Sequence, residues 1–342
     1  MIKSSGPPDK TTPGNVGDIY RNTDNGEIFV CKDVNHRPVR QQFIEVSAKD
    51  INTEYAWETT SIKFDDCTEL FTNGKRLEYL DKLDFSETTN MISMFDGCSS
   101  LTTIPQMDTS NVTNMDSMFR GCSSLTTIPQ MDTSNVTNML YMFSRCTKLT
   151  TVPQMDTSNV TNMGAMFFGC SSLITIPQMN TSNTTDMDSM FSDCAKLITI
   201  PQMDTSNVTN MGSMFDGCSS LTTIPQMDMS NVTNASSMFK ACRNLTNLDL
   251  RNIKINLQIG SATSWGHLLT VDSLVNTIKE LVTQTSYFTL TMGTANLKKI
   301  ANLYCKIIDD TDPKKTMELC ESTEEGAMRL TDYAQLKKWN IR

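Results

Sequence analysis

The feature that constrains this chain most is a strict 24-residue period. A phenylalanine recurs at Phe71, Phe95, Phe119, Phe143, Phe167, Phe191, Phe215 and Phe239. The unit reads MDTSNVTNMDSMFRGCSSLTTIPQ at 107–130. Its apolar positions are Met115, Met118, Phe119, Cys122, Leu125, Ile128, Met131 and Val136. One coil of 24 residues cannot bury eight such side chains alone, whereas stacked coils bury them against each other, which is the physical logic of a solenoid.

Met115, Met118, Phe119 and Cys122 fall at i, i+3, i+4 and i+7, which predicts a short helix with Asn114 as its N-cap. Gly121 sits where a C-cap belongs, yet Arg145, Asp193 and Ala241 take its place in other coils. A left-handed residue there costs on the order of 1 kcal/mol, so the position is expected to be ordinary helix. Leu125–Ile128 is the extended half, stopped by Pro129, which cannot donate to a ladder. Stacked strands of this kind form a narrow parallel sheet, with coils about 4.8 Å apart and an array roughly 35 Å long. At the far end Asp249 replaces the proline, and the strand LDLRNIKINL can run longer.

Two further columns follow the same period. Cys98, Cys122, Cys146, Cys170, Cys194, Cys218 and Cys242 form a ladder that reads as buried free thiols rather than a pairing scheme. Asn111, Asn135, Asn159, Asn183, Asn207 and Asn231 form another, suited to bonding backbone groups of the neighbouring coil. A third column, Asp108, Asp132, Asp156, Asn180, Asp204 and Asp228, invites a calcium reading. Turn hydrogen bonds explain it better, because Asn180 interrupts the charge.

The expected fold class is thus an α/β repeat: a leucine-rich-repeat-type right-handed solenoid with short parallel strands and short helices. Residues 67–260 make the solenoid with its capping coils, and 49–66 are a connector. Residues 1–48 carry the hairpin signal DIYRNTDNGEIFVCKDV and read as a small β module. Residues 261–342 read as a small α+β cap domain. Helices are expected from Thr270 or Asp272 through Leu281 and from near Thr294, with a strand at FTLTMG. A hairpin over CKIIDDTDPKKTMELC would set Cys305 opposite Cys320, and TDYAQLKKWNIR would end as helix and strand.

Charge and motifs exclude several functions. The net charge of -9 argues against nucleic acid or an anionic membrane as partner. Between Met91 and Phe239 there are eleven Asp, no Glu, and only Arg120, Arg145, Lys148 and Lys196 as cations. No stretch approaches the roughly 20 apolar residues of a membrane span. The N-terminal MIKSSGPPDK has no apolar segment of a secretory signal, so synthesis in a cytoplasm is expected. Two histidines, His36 and His267, stand without a paired nucleophile, and no P-loop, GxGxxG, CxxC or HExxH motif occurs. The expectation is no enzyme, no catalytic residue, no cofactor and no metal. What varies between near-identical coils is more telling. Leu140, Tyr141 and Phe168 interrupt polar positions on adjacent expected helices, and Ile174 and Ile198 replace a threonine on adjacent strands, marking a candidate contact surface for a ligand or partner.

The repeat NVTNMxxMFxGCSSLTT with DTSN ahead of it, over about 67–250, resembles the BspA-like leucine-rich repeats of bacterial surface proteins and mycoplasmas. The flanks resemble something else. TPGNVGDIYRNTDNGEIFVCKDV is similar to N-terminal modules of tailed-phage virion proteins. LTVDSLVNTIKELV, TLTMGTANLKKI and LKKWNIR are similar to C-terminal segments that follow such repeats in phage tail proteins. These resemblances imply a non-enzymatic virion component, a tail or head fibre, tail-tip or receptor-binding protein. It would dock on other virion proteins through residues 1–48 and meet a host surface glycan or protein, with a homo-oligomer as a further expectation. A bacterial BspA-like adhesin is the alternative, and an enzyme acting on host glycan is a distant third.

The period itself is open to test. Deleting Met139–Asn162, one 24-residue unit, should leave a cooperatively folded chain by circular dichroism and thermal melting. Deleting twelve residues instead places unlike halves over each other and should unfold the array. Equal tolerance of both deletions would rule out the period.

Overall fold

A computed structural model describes residues 66–73, 84–253 and 255 in full, and elsewhere the backbone of the strands. The chain divides into two compact units, Met1–Ser172 and Leu173–Arg342.

In the first unit β1 (Ile2–Ser4), β2 (Ile19–Asn22), β3 (Ile28–Asp33) and β4 (Gln41–Val46) form one sheet in that order. The expected hairpin is its centre, with β2 and β3 antiparallel and Tyr20 opposite Phe29. β5 (Ile62–Lys63) pairs in parallel with β6 (Leu83–Asp84), which starts the stacking. In the second unit β7 (Thr223–Asp228) pairs in parallel with β8 (Asn247–Arg251). The proline-free coil does not carry the longer strand expected of it: β8 has five residues and β7, which contains Pro225, has six. Pro225 falls inside β7 where the register shifts between Ile224 and Met227, the irregularity that lets a strand hold a residue without an N–H.

Beyond the repeats, β9 (Leu257–Ile259), β10 (Thr289–Met292) and β14 (Asn340–Ile341) form a parallel sheet in the order β14-β10-β9. β11 (Tyr304–Ile307) pairs antiparallel with β12 (Met317–Cys320) and with β13 (Met328–Arg329). The expected hairpin is present but one residue out of register. Cys320 faces Tyr304, and Cys305 faces Leu319. The helices expected between 270 and 340 lie outside the described residues.

The repeat corrects a larger expectation. Among the described residues there is no helix: the segment 115–122 is a run of tight turns. Its odd-numbered N–H groups leave the coil. Met115, Ser117, Phe119 and Gly121 donate to the carbonyls of Asn138, Leu140, Met142 and Ser144 at 3.0, 2.8, 2.9 and 2.7 Å. The even ones stay inside it. Met118, Arg120 and Cys122 donate three residues back, to Met115, Ser117 and Phe119, at 3.2, 3.1 and 3.1 Å. Two residues per coil take positive φ, such as Ser117 (56°) and Gly121 (73°). Each sits at the third position of a turn, as in type II. Arg145 (61°), Asp193 (60°) and Ala241 (60°) adopt the same left-handed conformation as the glycine that they replace. The position is therefore not helical in any of these coils.

The reason is one of width. An α-helix with side chains is about 10 Å across, twice the spacing that strand-like stacking demands. In the first unit the rings of Phe71, Phe95, Phe119, Phe143 and Phe167 stack at 5.5, 5.4, 5.6 and 5.7 Å between centroids. Phe191, Phe215 and Phe239 stack likewise in the second, at 5.8 and 6.1 Å. Coils that close admit turns but not helices. The spacing of 3 and 4 that suggested a helix marks the inward positions of alternating turns.

The core is correspondingly regular. All eight phenylalanines are fully buried, with methionines such as Met115 and Met118, the leucine column through Leu125 and the valines through Val136. The ladder cysteines and Cys67 are buried and form no disulfide. Each thiol has a use. Cys122, Cys146 and Cys170 donate from Sγ to the carbonyls of Phe95, Phe119 and Phe143 at 3.1, 3.1 and 3.0 Å. Cys218 and Cys242 donate to Phe191 and Phe215, both at 3.0 Å. Burial pushes the Cys170 and Cys218 thiols up to about 12.

A single methyl group separates the turn model from a helix. A Cβ added to Gly121 would meet the Cα of Gly97 at 3.5 Å, an ordinary contact, so its cost is conformational. Gly121→Ala should therefore destabilise the chain by about 1 kcal/mol in denaturant titration. In an ordinary helix the same change would stabilise it.

Candidate functional site

Most of the polar surface is already committed to holding coils together. Asn111, Asn135 and Asn159 donate from Nδ2 to the carbonyls of Ser86, Ser110 and Ser134, each at 2.7 Å. In the second unit Asn207 and Asn231 bond Ser182 and Ser206 at 2.7 and 2.6 Å. Asn114 accepts at Oδ1 from Asp116 N–H at 3.0 Å, and Asn138 from Leu140 N–H at 3.0 Å. These residues cap stacks of turns, where the sequence suggested the cap of a helix.

Two columns escaped the sequence reading. Thr109, Thr133, Thr181 and Thr205 are buried and donate to the carbonyls of Asp132, Asp156, Asp204 and Asp228 in the next coil at 2.8, 2.8, 2.7 and 3.0 Å. Gln106, Gln130, Gln178 and Gln202 reach the glutamine carbonyl one coil on at 2.6 to 2.7 Å. The available signal was alternation, since Thr109 lies two residues beyond the buried Met107 on an extended stretch.

The aspartate column acts on its own turn. Asp108, Asp132 and Asp204 each accept at Oδ1 from the serine two residues on, through both its hydroxyl (2.7 Å) and its N–H (3.0 Å). The serine hydroxyl, then its N–H, holds these carboxyls and that of Asp156 below their ordinary value of 3.8. Asn180 accepts the same two bonds from Ser182 at 2.8 and 3.1 Å, which explains why it can interrupt the charge. Among the described residues no group of three or more His, Cys, Asp or Glu side chains is placed to hold a metal ion. His36 and His267 lie outside them.

The variable residues fall into two groups. Ile174 and Ile198, in the second unit, are 43% and 49% exposed and lie on adjacent coils joined by an Ile198 N–H to Ile174 carbonyl bond of 3.2 Å. Leu140, Tyr141 and Phe168 belong to the first unit. Tyr141 is 40% exposed, while Leu140 and Phe168 are half-buried. The turn 141–145 lies directly against 164–168. Tyr141, Phe143 and Arg145 donate to the carbonyls of Gly164, Met166 and Phe168 at 3.0, 2.9 and 2.6 Å. Arg145, which the sequence reading did not place in the patch, carries its guanidinium 5.9 Å from the centre of the Phe168 ring. On the preceding coil Arg120 makes a two-point ion pair with Asp96. That hydrogen bond chiefly raises the Arg120 pKa, with a smaller contribution from nearby Tyr141.

The repeats match the family described as "Mycoplasma protein of unknown function, DUF285", over residues 64–176 and 148–253, more than half of the chain. The chain belongs to this family. The match leaves both flanks uncovered. No curated protein is similar to the chain. Among solved structures, a leucine-rich repeat protein of T. pallidum is 21% identical, over 45% of this chain and 69% of its own length, with a TM-score of 0.36. A leucine-rich repeat protein from Bacteroides ovatus ATCC 8483 is 12% identical, over 79% of this chain and 94% of its own, with a TM-score of 0.22. Likenesses this loose transfer nothing, and the repeat architecture rests on the chain's own coil-to-coil bonds.

The aspartate turns make a prediction about acid. A carboxylate with a depressed folded pKa contributes stability that is fully present above its unfolded value of 3.8 and lost as pH falls through the lowered one. Replacing Asp108, Asp132, Asp156 and Asp204 by Asn, which keeps the acceptor, should flatten the fall in melting temperature between about pH 5 and about pH 2. An unchanged acid limb would show that these turns do not couple protonation to folding.

Proposed function

We propose that this chain is a non-enzymatic display scaffold, a virion component of a tailed phage whose repeat surface recognises the host. The observation that supports it most is where the freedom lies. The buried Phe, Met and Cys columns and the hydrogen-bonded Asn, Thr and Gln columns are spent on stacking. Among the described residues that face outward and differ between coils, the large apolar ones are Tyr141, Ile174 and Ile198. A surface that is constant except at chosen points suits recognition. The carboxylates of its aspartate column sit in turns as bond acceptors and its described thiols are buried, so neither set is disposed to acid–base or nucleophilic work.

The phage assignment draws on the resemblance of residues 1–48 and 261–342 to virion modules, with residues 1–48 docking on other virion proteins. Membership of the repeat family speaks for the second reading, a bacterial surface adhesin built on BspA-like repeats. Both make the solenoid a recognition element, and they differ in what carries it.

Mass spectrometry of purified virions should find the full chain, and a chain starting at Asp50 should fold but fail to incorporate. A full-length variant with Leu140→Ser, Tyr141→Ser and Phe168→Ser should incorporate and lose adsorption to host cells. Normal incorporation of the shortened chain would refute docking through 1–48, and unchanged adsorption by the triple variant would refute the contact surface.

A further inference from the structure

We infer that the paired turns 141–145 and 164–168 form a subsite for a carboxylate-bearing sugar residue of an acidic glycan. Arg145 anchors the carboxylate, and Tyr141 supplies the surface on which the ring rests. This deepens the display reading above and rests on it.

Residues 91–172 hold three cations, Arg120, Arg145 and Lys148. Arg120 is taken up by Asp96. Arg145 is exposed, and its one interaction among the described side chains is with the Phe168 ring at 5.9 Å. That ring covers one side of the guanidinium and leaves its planar fork of donors, which matches a carboxylate at two points. Tyr141 and Phe168 are the two aromatic residues of this stretch outside the buried phenylalanine column. Arg145 and Phe168, which break an otherwise copied pattern, thus meet on two adjacent coils, and Tyr141 opens the same turn that ends in Arg145.

Their backbone makes the coincidence harder to dismiss. Tyr141 (φ 54°) and Arg145 (φ 61°) are both left-handed. Neighbouring coils fill these positions with Ser117 and Ala165, and with Gly121 and Gly169. Large side chains in a conformation that disfavours them are a pattern found at binding sites. The Cγ of Arg145 packs beside Gly169 on the next coil, where an added Cβ would be in ordinary contact at 3.5 Å.

Size and bonding select the ligand class. Two coils make a surface far smaller than the roughly 1,200–2,000 Å² that a specific protein partner buries. The N–H groups of Tyr141, Phe143 and Arg145 are bonded to the next coil, so no free edge is offered to an added peptide strand. Thr147 and Thr161 spend their hydroxyls on the carbonyls of Ser123 and Thr137. Within the two turns the charged donors are those of Arg145. The chain's net charge of -9 does not cancel them at close range, because salt screens charges beyond about 8 Å.

Binding of the full chain to soluble polygalacturonate, neutral dextran and polyglutamate tests this, by affinity electrophoresis and biolayer interferometry. We expect polygalacturonate to bind in a salt-sensitive manner, with neither of the others matching it. Arg145→Gly and Tyr141→Ser restore residues that other coils carry, so melting should not fall. Arg145→Gly should weaken binding roughly tenfold or more. Free galacturonic acid should compete for the unaltered chain, a readout that no folding defect touches. Absence of polygalacturonate binding, equal binding of polyglutamate, undiminished binding by Arg145→Gly, or failure of the monosaccharide to compete would each overturn the assignment. If the triple variant loses adsorption while polygalacturonate does not bind, the ligand class fails and the display reading stands. Intact adsorption by that variant removes these turns as the contact surface whatever the polymer does.

Discussion

Everything in the repeats depends on the distance between coils. Alternate N–H groups reach into the next coil at hydrogen-bond length, from Met115 to Gly121 and again in each neighbour, and this draws the backbones as close as paired strands. At that separation rings stack face to face, thiols reach a carbonyl of the adjacent coil, and side-chain amides span the gap. A wider element at any point would break all of these contacts together. The backbone must therefore turn sharply within each coil, and two left-handed residues per coil are the local cost of closeness.

That economy shapes the surface as much as the core. A buried or half-buried peptide group needs a partner, and here partners come from side chains that would otherwise face solvent. Asparagine, glutamine and threonine are chosen for reach, so their columns are structural even where exposed. The aspartates are the partial exception, bonded to their own turns and repelling one another weakly along the stack. Surface function in such a molecule has to come from departures. Tyr141 and Arg145 are departures that tolerate an unfavourable backbone, while Phe168, Ile174 and Ile198 are departures at ordinary backbone positions.

The stacked architecture, the buried phenylalanine and cysteine columns and the coil-to-coil asparagines were legible because each depends on period alone. The turns were not. Spacings of 3, 4 and 7 arise on a helix and also on alternating turns, and only the coil separation decides between them. Arg145, Asp193 and Ala241 misled for a related reason. Non-glycine residues argue against a left-handed position only when the conformation is optional, and stacking makes it obligatory here. The pairing of Arg145 with Phe168 was hidden because 23 residues separate them in sequence while neighbouring coils bring them together. Cys305 and Cys320 show the limit of hairpin reasoning, where a one-residue slip changes which residues face each other.

The cysteine ladder carries a consequence of its own. Thiols that are buried, bonded to carbonyls and raised far above neutrality stay protonated and out of reach of oxidants and metals. None of those described pairs with another, so no bond of this repeat array has to be made by oxidation or is lost by reduction. The array is therefore indifferent to redox potential: it can fold in a reducing compartment and work in an oxidising one without altering a single contact.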